Sequence, residues 1–264
     1  VEKPSILLGK DGKAIKPQAS PRITVLIDGT VENSLYLSRC IEALLTRTNT
    51  KRLTTEFIVG LSQDDDWNRE TVEFFQAYMK TIEFLIGYAP VLDFVAFAPE
   101  KDLSEGYIIN QLAKLSRGEW ILPLRASQVI RTPQWDERLI ELVEGDPLDK
   151  LRKDPIGRPA LNSASVATIK MDVQGVPEQS TGVAFAVSRG WYNSLGTVVK
   201  HSIAEDYISL VVDQIGDPNR SLFLDDIEII DPEWGSLERS FPAKINESID
   251  QDVQTLTARI KAGF

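Results

Sequence analysis

Ile23-Thr-Val-Leu-Ile-Asp28, followed at once by Gly29-Thr30, is the stretch on which the fold turns. A short run of apolar and β-branched residues without polar alternation suits a strand buried on both faces. Asp28-Gly29-Thr30 breaks it. A helix is then expected from Glu32 to about Thr46, with Leu35, Leu37, Ile41, Leu44 and Leu45 on its apolar side. The unit repeats: Glu56-Phe-Ile-Val-Gly-Leu61 reads as strand, Ser62 to Asp66 as an acidic turn, and Asn68 to about Ile86 as helix. Leu92 to Phe97 is a third strand, followed by a helix from about Ser104 to Leu115. Glu119-Trp-Ile-Leu-Pro-Leu124 is a fourth, with a helix running from Thr132-Pro133 to about Val143 and Pro at its start, where a missing N–H costs nothing. Strands alternating with helices predict an α/β fold, a mostly parallel central sheet with helices on both faces. In such sheets ligands collect at the carboxyl ends of the strands, where loops and helix N-termini converge.

Outside that core the texture changes. Residues 1–21 are rich in Lys, Gly and Pro and are expected to form an extended N-terminal arm. Asp146 to Ser163 reads as a long loop, of a length that could cover a site. Ser165 to Val173 and Gly182 to Val187 read as strands, Ile203 to Ile215 as a helix and Leu222 to Ile230 as a strand. Residues 245–264 form a C-terminal amphipathic helix whose stripe of Ile249, Val253, Leu256 and Ile260 is expected to dock on the core, with partner binding as the alternative. The domain proper is 22–244, with the two halves meeting near residue 145.

The 264 residues, 42% hydrophobic and 26% charged, are ordinary for a globular chain and long enough for one large domain. A net charge of −10 repels phosphate backbones and anionic lipid, so neither nucleic acid nor a membrane surface is an expected partner. No apolar run approaches the roughly 20 residues of a membrane helix. Val1 to Lys10 lacks a signal layout, so a cytoplasmic location is the default expectation. Cys40, alone in the chain, lies in an apolar helical pattern and reads as a buried structural thiol. His201, the single histidine, reads as an ordinary surface residue.

Three acidic features fall at loop positions where chemistry is expected. Asp28 ends the first strand, Asp64-Asp65-Asp66 ends the second, and Glu205-Asp206 opens a late helix. Each has a plain alternative, since Asp at a strand end often caps the next helix. No glycine-rich phosphate loop follows any strand, which disfavours other classes of doubly wound nucleotide-binding domain.

Taken in order, EFIVGLSQDDD (56–66), NQLAKLSRGE (110–119), TPQWD (132–136), GVAFAVSRGWYNSLG (182–196) and AEDY (204–207), together with 23–30, resemble a GT-A, family 2-like glycosyltransferase of the kind common in phage and environmental genomes. The resemblance implies a nucleotide half at about 22–145 and an acceptor half at about 146–244. It implies that Asp28, Thr30, Asp65 and Asp66 hold the base and ribose of a nucleotide-sugar donor, with Asn110 near the donor, although a helix-face hydrogen bond suits Asn110 equally well. Carboxylates suit that task as acceptors for base N–H and ribose hydroxyl groups. It makes Asp206 the general base toward an acceptor hydroxyl, with Glu205 as the alternative. Trp191 and Tyr192 fall where a glycan or other hydroxyl acceptor stacks, although either suits core packing equally well.

One departure stands out. Where such enzymes carry an acidic pair for Mn²⁺ or Mg²⁺, this chain reads Leu124-Arg125-Ala126-Ser127-Gln128, and where a histidine follows the late strand it has Asp231. Neutral Ala and Ser cannot hold a hard divalent ion, so no metal cofactor is expected. Either Arg125 supplies the positive charge toward the donor diphosphate, or the site is dead and Arg125 pairs with Asp28 or an Asp of 64–66. The two functional expectations are therefore a metal-independent sugar transferase and a catalytically inactive descendant. The second would bind glycan or build an assembly such as a virion, through its arm and C-terminal helix.

Overall fold

The computed structural model describes residues 21–30, 34–49, 55–62, 66–86, 89–97, 105–144, 166–172, 182–200, 204–215, 221–231 and 244–261. The expected arm up to residue 20, the expected loop over 146–163, Asp65 and His201 lie outside them.

The chain opens with β1 (Ile23–Gly29), α1 (Ser34–Arg47), β2 (Thr55–Ser62), α2 (Asp66–Ile86), β3 (Val91–Phe97) and α3 (Glu105–Ala113). It continues through β4 (Trp120–Arg125), β5 (Val129–Ile130), α4 (Trp135–Glu144), β6 (Val166–Asp172) and β7 (Gly182–Ser188). The last elements are α5 (Arg189–Leu195), α6 (Ala204–Ile215), β8 (Ser221–Ile230) and α7 (Lys244–Lys261). All strands join one eight-stranded sheet, ordered β3-β2-β1-β4-β7-β6-β8-β5. β1 lies parallel to β2 and β4, β2 to β3, and β6 to β8, while β7 runs antiparallel to both its neighbours and β5 antiparallel to β8. This is the expected mostly parallel α/β sheet.

Alternation along β1 sorts the core into two layers. Val25 and Ile27 face a cluster with Leu37, Ile41 and Leu44 of α1, Phe75 of α2 and Trp135 and Leu139 of α4. Leu26 faces the other, with Ile108, Ile109 and Leu112 of α3, Trp191 of α5, Tyr207, Ile208 and Val211 of α6 and Ile249 and Leu256 of α7. Helices thus cover both faces. The stripe of α7 docks on the protein's own core: Ile249 and Leu256 are buried and Val253 packs beside them.

One expectation needs correction. α4 begins at Trp135, with Pro133 outside it, because Gln134 adopts φ 55° and its N–H donates to Arg47 O across the gap to α1. α5 falls in a stretch to which the sequence reading assigns no element; Ser188 caps it by accepting from Trp191 N, and Gly196, at φ 69°, ends it.

Candidate functional site

The carboxyl ends of β1, β2 and β4 form a rim. Asp28 pairs in register with Gly60 of β2 and Arg125 of β4, so all three stand at one level. Leu26 and Ile121 point into the α3–α6–α7 layer. Asp28 and Arg125 share the parity of those residues and lie on the same face.

Asp28 is buried at 3% exposure. Its Oδ1 accepts from Thr30 N at 3.0 Å and from the Thr30 hydroxyl at 2.6 Å, an Asx turn that brings the chain off the sheet. Burial pushes the Asp28 carboxyl above its ordinary range, against the pull of the Thr30 hydrogen bonds and of the Arg125 charge. Gly29 has no room for a side chain: a Cβ would lie 2.8 Å from Gly60 O and 3.1 Å from Leu37.

Arg125 ends β4. The segment that follows is a tight turn: Gln128 N donates to Arg125 O at 3.0 Å, and Gln128 Oε1 accepts from Arg125 N at 2.9 Å. Ala126 N donates to Asp28 O at 3.1 Å, which ties the turn to β1. The Arg125 guanidinium pairs at 2.5 Å with Asp231, the fully buried residue just after β8. Among the described residues the ion pair of Arg125 is with Asp231; residues 63–65 of the acidic turn lie outside them. Sequence reasoning had marked Asp231 only as a departure from the family pattern. The usable signal was the joint change, a cation at the end of β4 and an anion after β8.

A divalent metal does not fit this turn. The loop offers a guanidinium, a methyl, a hydroxyl and a buried amide, and its one charged group is a cation that pairs with Asp231. Among the described residues, no group of three His, Cys, Asp or Glu is placed to hold a metal ion.

The other expected site residues divide. Asp66 opens α2, directly beyond the carboxyl end of β2, and Glu205 and Asp206 lie in the first turn of α6; the side chains of these three are outside the description. Asn110 projects from α3 onto the segment after α5. Its Oδ1 accepts from Val198 N at 2.9 Å and Val199 N at 3.1 Å, and its Nδ2 donates to Val199 O. Its amide is therefore engaged in holding backbone. Trp191 is buried at 1% exposure, with its indole N–H donating to Val198 O at 3.2 Å. Tyr192 is half-buried beneath the Arg189 guanidinium, 5.5 Å from its ring centre. Cys40 is buried and its thiol is pushed up to about 12 by loss of solvent, which leaves it inert at neutral pH.

No protein-family model matches the sequence, and a comparison with curated proteins finds no match. Solved structures do match. A structure of S. aureus TarS residues 1–349 shares 14% identity over 80% of this chain with a TM-score of 0.56, and the same fragment in complex with UDP shares 13% over 89% at 0.54. The mannosyltransferase PcManGT from Pyrobaculum calidifontis, in complex with GDP-Man and Mn²⁺, shares 12% over 94% at 0.57. The chain spans 60% of the first TarS structure's length and 78% of the mannosyltransferase's. At such identities the likeness establishes architecture alone, and that architecture is the GT-A glycosyltransferase fold.

Proposed function

We propose that this chain binds a nucleotide-sugar at the carboxyl rim of its sheet and transfers the sugar to an acceptor hydroxyl without a divalent metal. The observation that carries the reading is the Arg125–Asp231 ion pair, set beside Asp28 at the ends of β4 and β8. A fixed guanidinium at this turn supplies positive charge toward the oxygens of a departing diphosphate, the position of greatest charge development in such a transfer. Asp28 and Thr30, with Asp65 and Asp66 after β2, take the base and ribose. Asp206, or failing it Glu205, removes the acceptor proton. The course of the chain supports this assignment. β8 starts at the amino end of the sheet, so α6 must lead back to that end, which favours its first turn lying toward the carboxyl rim. α6 also packs on the same face of the sheet as Leu26 and Ile121.

UDP and GDP are the nucleotides to try first, since the TarS fragment and the mannosyltransferase are similar in fold and were solved with UDP and GDP-Man. Calorimetry with UDP, GDP, UDP-glucose and GDP-mannose, with and without EDTA, tests the reading. Binding that survives EDTA and donor hydrolysis lost in Asp206→Asn are the expected results. Absence of any nucleotide binding at millimolar concentration refutes it.

A second reading starts from how far the expected site residues are already engaged. Arg125 already faces one buried carboxylate, and Asn110 and Trp191 are occupied by the scaffold. These contacts favour an inactive protein that binds glycan or builds an assembly. Nucleotide binding without any hydrolysis or transfer would select it.

A further inference from the structure

Residues 196–200, just after α5, lie outside any helix or strand, yet Val198 and Val199 are fully buried. Buried backbone outside a helix or sheet needs partners for each N–H and C=O. Here side chains provide all of them. Val198 N and Val199 N donate to Asn110 Oδ1. Val198 O accepts from the Trp191 indole, and Val199 O from Asn110 Nδ2 and the Thr197 hydroxyl at 2.7 Å. A second tie lies a few residues on. Asp252, on α7 and 2% exposed, accepts from Lys200 Nζ through one oxygen and from the Tyr207 hydroxyl through the other. Tyr207 stands one residue beyond Asp206 in the first turn of α6, is itself fully buried, and belongs to the α3–α6–α7 layer. Its phenol is pushed well above its ordinary range, first by burial and then by Asp252, so it stays a hydrogen-bond donor at any working pH.

We infer that Asn110 and Asp252 are positioning residues: they grip the chain on either side of Glu205-Asp206 and fix the first turn of α6 relative to the sheet. The C-terminal helix thereby becomes part of the site's support. Asn110 sets the height at which the segment leaves α5 and crosses α3. Asp252 sets the entry of α6 from the opposite side, through one residue before the turn and one within it. A base displaced by 1 Å loses about a hundredfold in rate, so a turn held at both ends is what proton removal at this place requires. This inference rests on the reading of Asp206 as the base.

The test compares Asn110→Ala, Asp252→Asn and Tyr207→Phe with the wild-type chain, and uses Asn110→Asp as the conservative variant that keeps the acceptor oxygen. Hydrolysis of UDP-glucose and GDP-mannose gives the rate, calorimetry with UDP and GDP gives the affinity, and amide exchange reports on residues 204–210. The expected result is a fall in kcat of at least tenfold in Asn110→Ala and Asp252→Asn. Nucleotide Kd and donor KM should stay within twofold, exchange over 204–210 should rise about tenfold, and Asn110→Asp should recover part of the rate. Unchanged exchange in variants that keep a native near-ultraviolet spectrum overturns the inference, and so does an unchanged kcat. Loss of nucleotide affinity in parallel with kcat also overturns it, because that outcome marks general damage. If the wild-type chain binds neither nucleotide, it is the transferase reading that fails, and the catalytic meaning of the grip falls with it. Exchange still decides whether the grip exists.

Discussion

The Arg125 guanidinium lies 2.5 Å from the Asp231 carboxylate and so joins the end of β4 to the end of β8 across 106 residues of sequence. Asp231 is fully buried and the Arg125 side chain is 12% exposed. A pair of this kind is costly to break from either side, because the remaining charge has no water to fall back on.

Arg125→Ala should therefore destabilise the chain by about 3–5 kcal/mol, the range for stranding one member of a buried pair. Asp231→Asn should cost less, since Arg125 keeps some solvent and the charge of Asp28 nearby. The double variant Arg125→Met/Asp231→Leu should recover most of the loss while abolishing donor hydrolysis. Urea denaturation of the singles and the double gives the coupling directly. Additive losses would show that the pair has no structural weight.

Asp28 predicts an inverted pH dependence. Burial lifts its folded-state value above the ordinary 3.8, so the folded chain holds this proton more tightly than the unfolded chain does. The stability gained from it is complete below about pH 3.8 and is lost as pH rises through the raised folded value. At neutral pH the ionised carboxylate is a net cost. Asp28→Asn keeps an oxygen for Thr30 and removes that cost. The variant should melt about 2–4 °C higher at pH 7, the shift roughly 1 kcal/mol gives a domain of this size, and the margin should close toward pH 4. Nucleotide affinity should fall in the same variant. A margin that widens on acidification would contradict the assignment.

The alternation of strand and helix was legible because each element buries a periodic face: β1 was expected at 23–28 and is observed as Ile23–Gly29, and the C-terminal helix was expected within 245–264 and is observed as Lys244–Lys261. Strand direction was not, since the pattern of Gly182–Ser188 is the same whether β7 runs up or down. β5, with only Val129 and Ile130, is too short to show a period. For the candidate site, sequence offers positions along the chain but not partnerships. Asn110 reads as a donor neighbour or a helix-face hydrogen bond, and its amide engages Val198–Val199; Arg125 reads as a diphosphate partner or a mate for Asp28 or an Asp of 64–66, and among the described residues it pairs with Asp231. Nor did sequence show that the motifs carrying the resemblance, RGE and TPQWD, are largely scaffold. Gly118, the Arg117 backbone and Glu119 tie the amino ends of β1, β2 and α5 together, far from the rim.

Gly118 is the tightest of these ties. Its N–H donates to the Thr24 hydroxyl at 2.8 Å, and a Cβ there would lie 2.5 Å from Thr24 N and 2.7 Å from Ile23 C. Those obstacles are backbone of the central strand and cannot rotate away. Gly118→Ala should cost about 1–3 kcal/mol, the usual penalty for forcing atoms into a packed core, and should lower the melting temperature without altering nucleotide affinity. A variant of wild-type stability would mean that β1 and the β4 entry separate easily.

Asp136 closes the other tie, and its effect should be purely structural. It is fully buried; Oδ1 accepts from Asn49 N at 3.0 Å, and Oδ2 from the Thr55 hydroxyl at 3.2 Å, at the start of β2. Its neighbour Trp135 donates through its indole to the Thr48 hydroxyl at 3.1 Å, so consecutive residues of α4 hold the end of α1 and the entry to β2. Asp136→Ala removes the acceptor of the half-buried Asn49 N–H and strands the buried Thr55 hydroxyl, the latter at about 1–3 kcal/mol for a buried donor left without an acceptor. Asp136→Asn should fall between, because one amide oxygen can still accept. Since Thr55 pairs in register with Ile23, five positions before Asp28, the loss is felt at the end of the sheet opposite the rim. Denaturation midpoints should therefore drop in the order Asn then Ala while UDP and GDP affinities hold. A nucleotide affinity that falls together with the midpoint would place the TPQWD motif in the binding site instead of the scaffold.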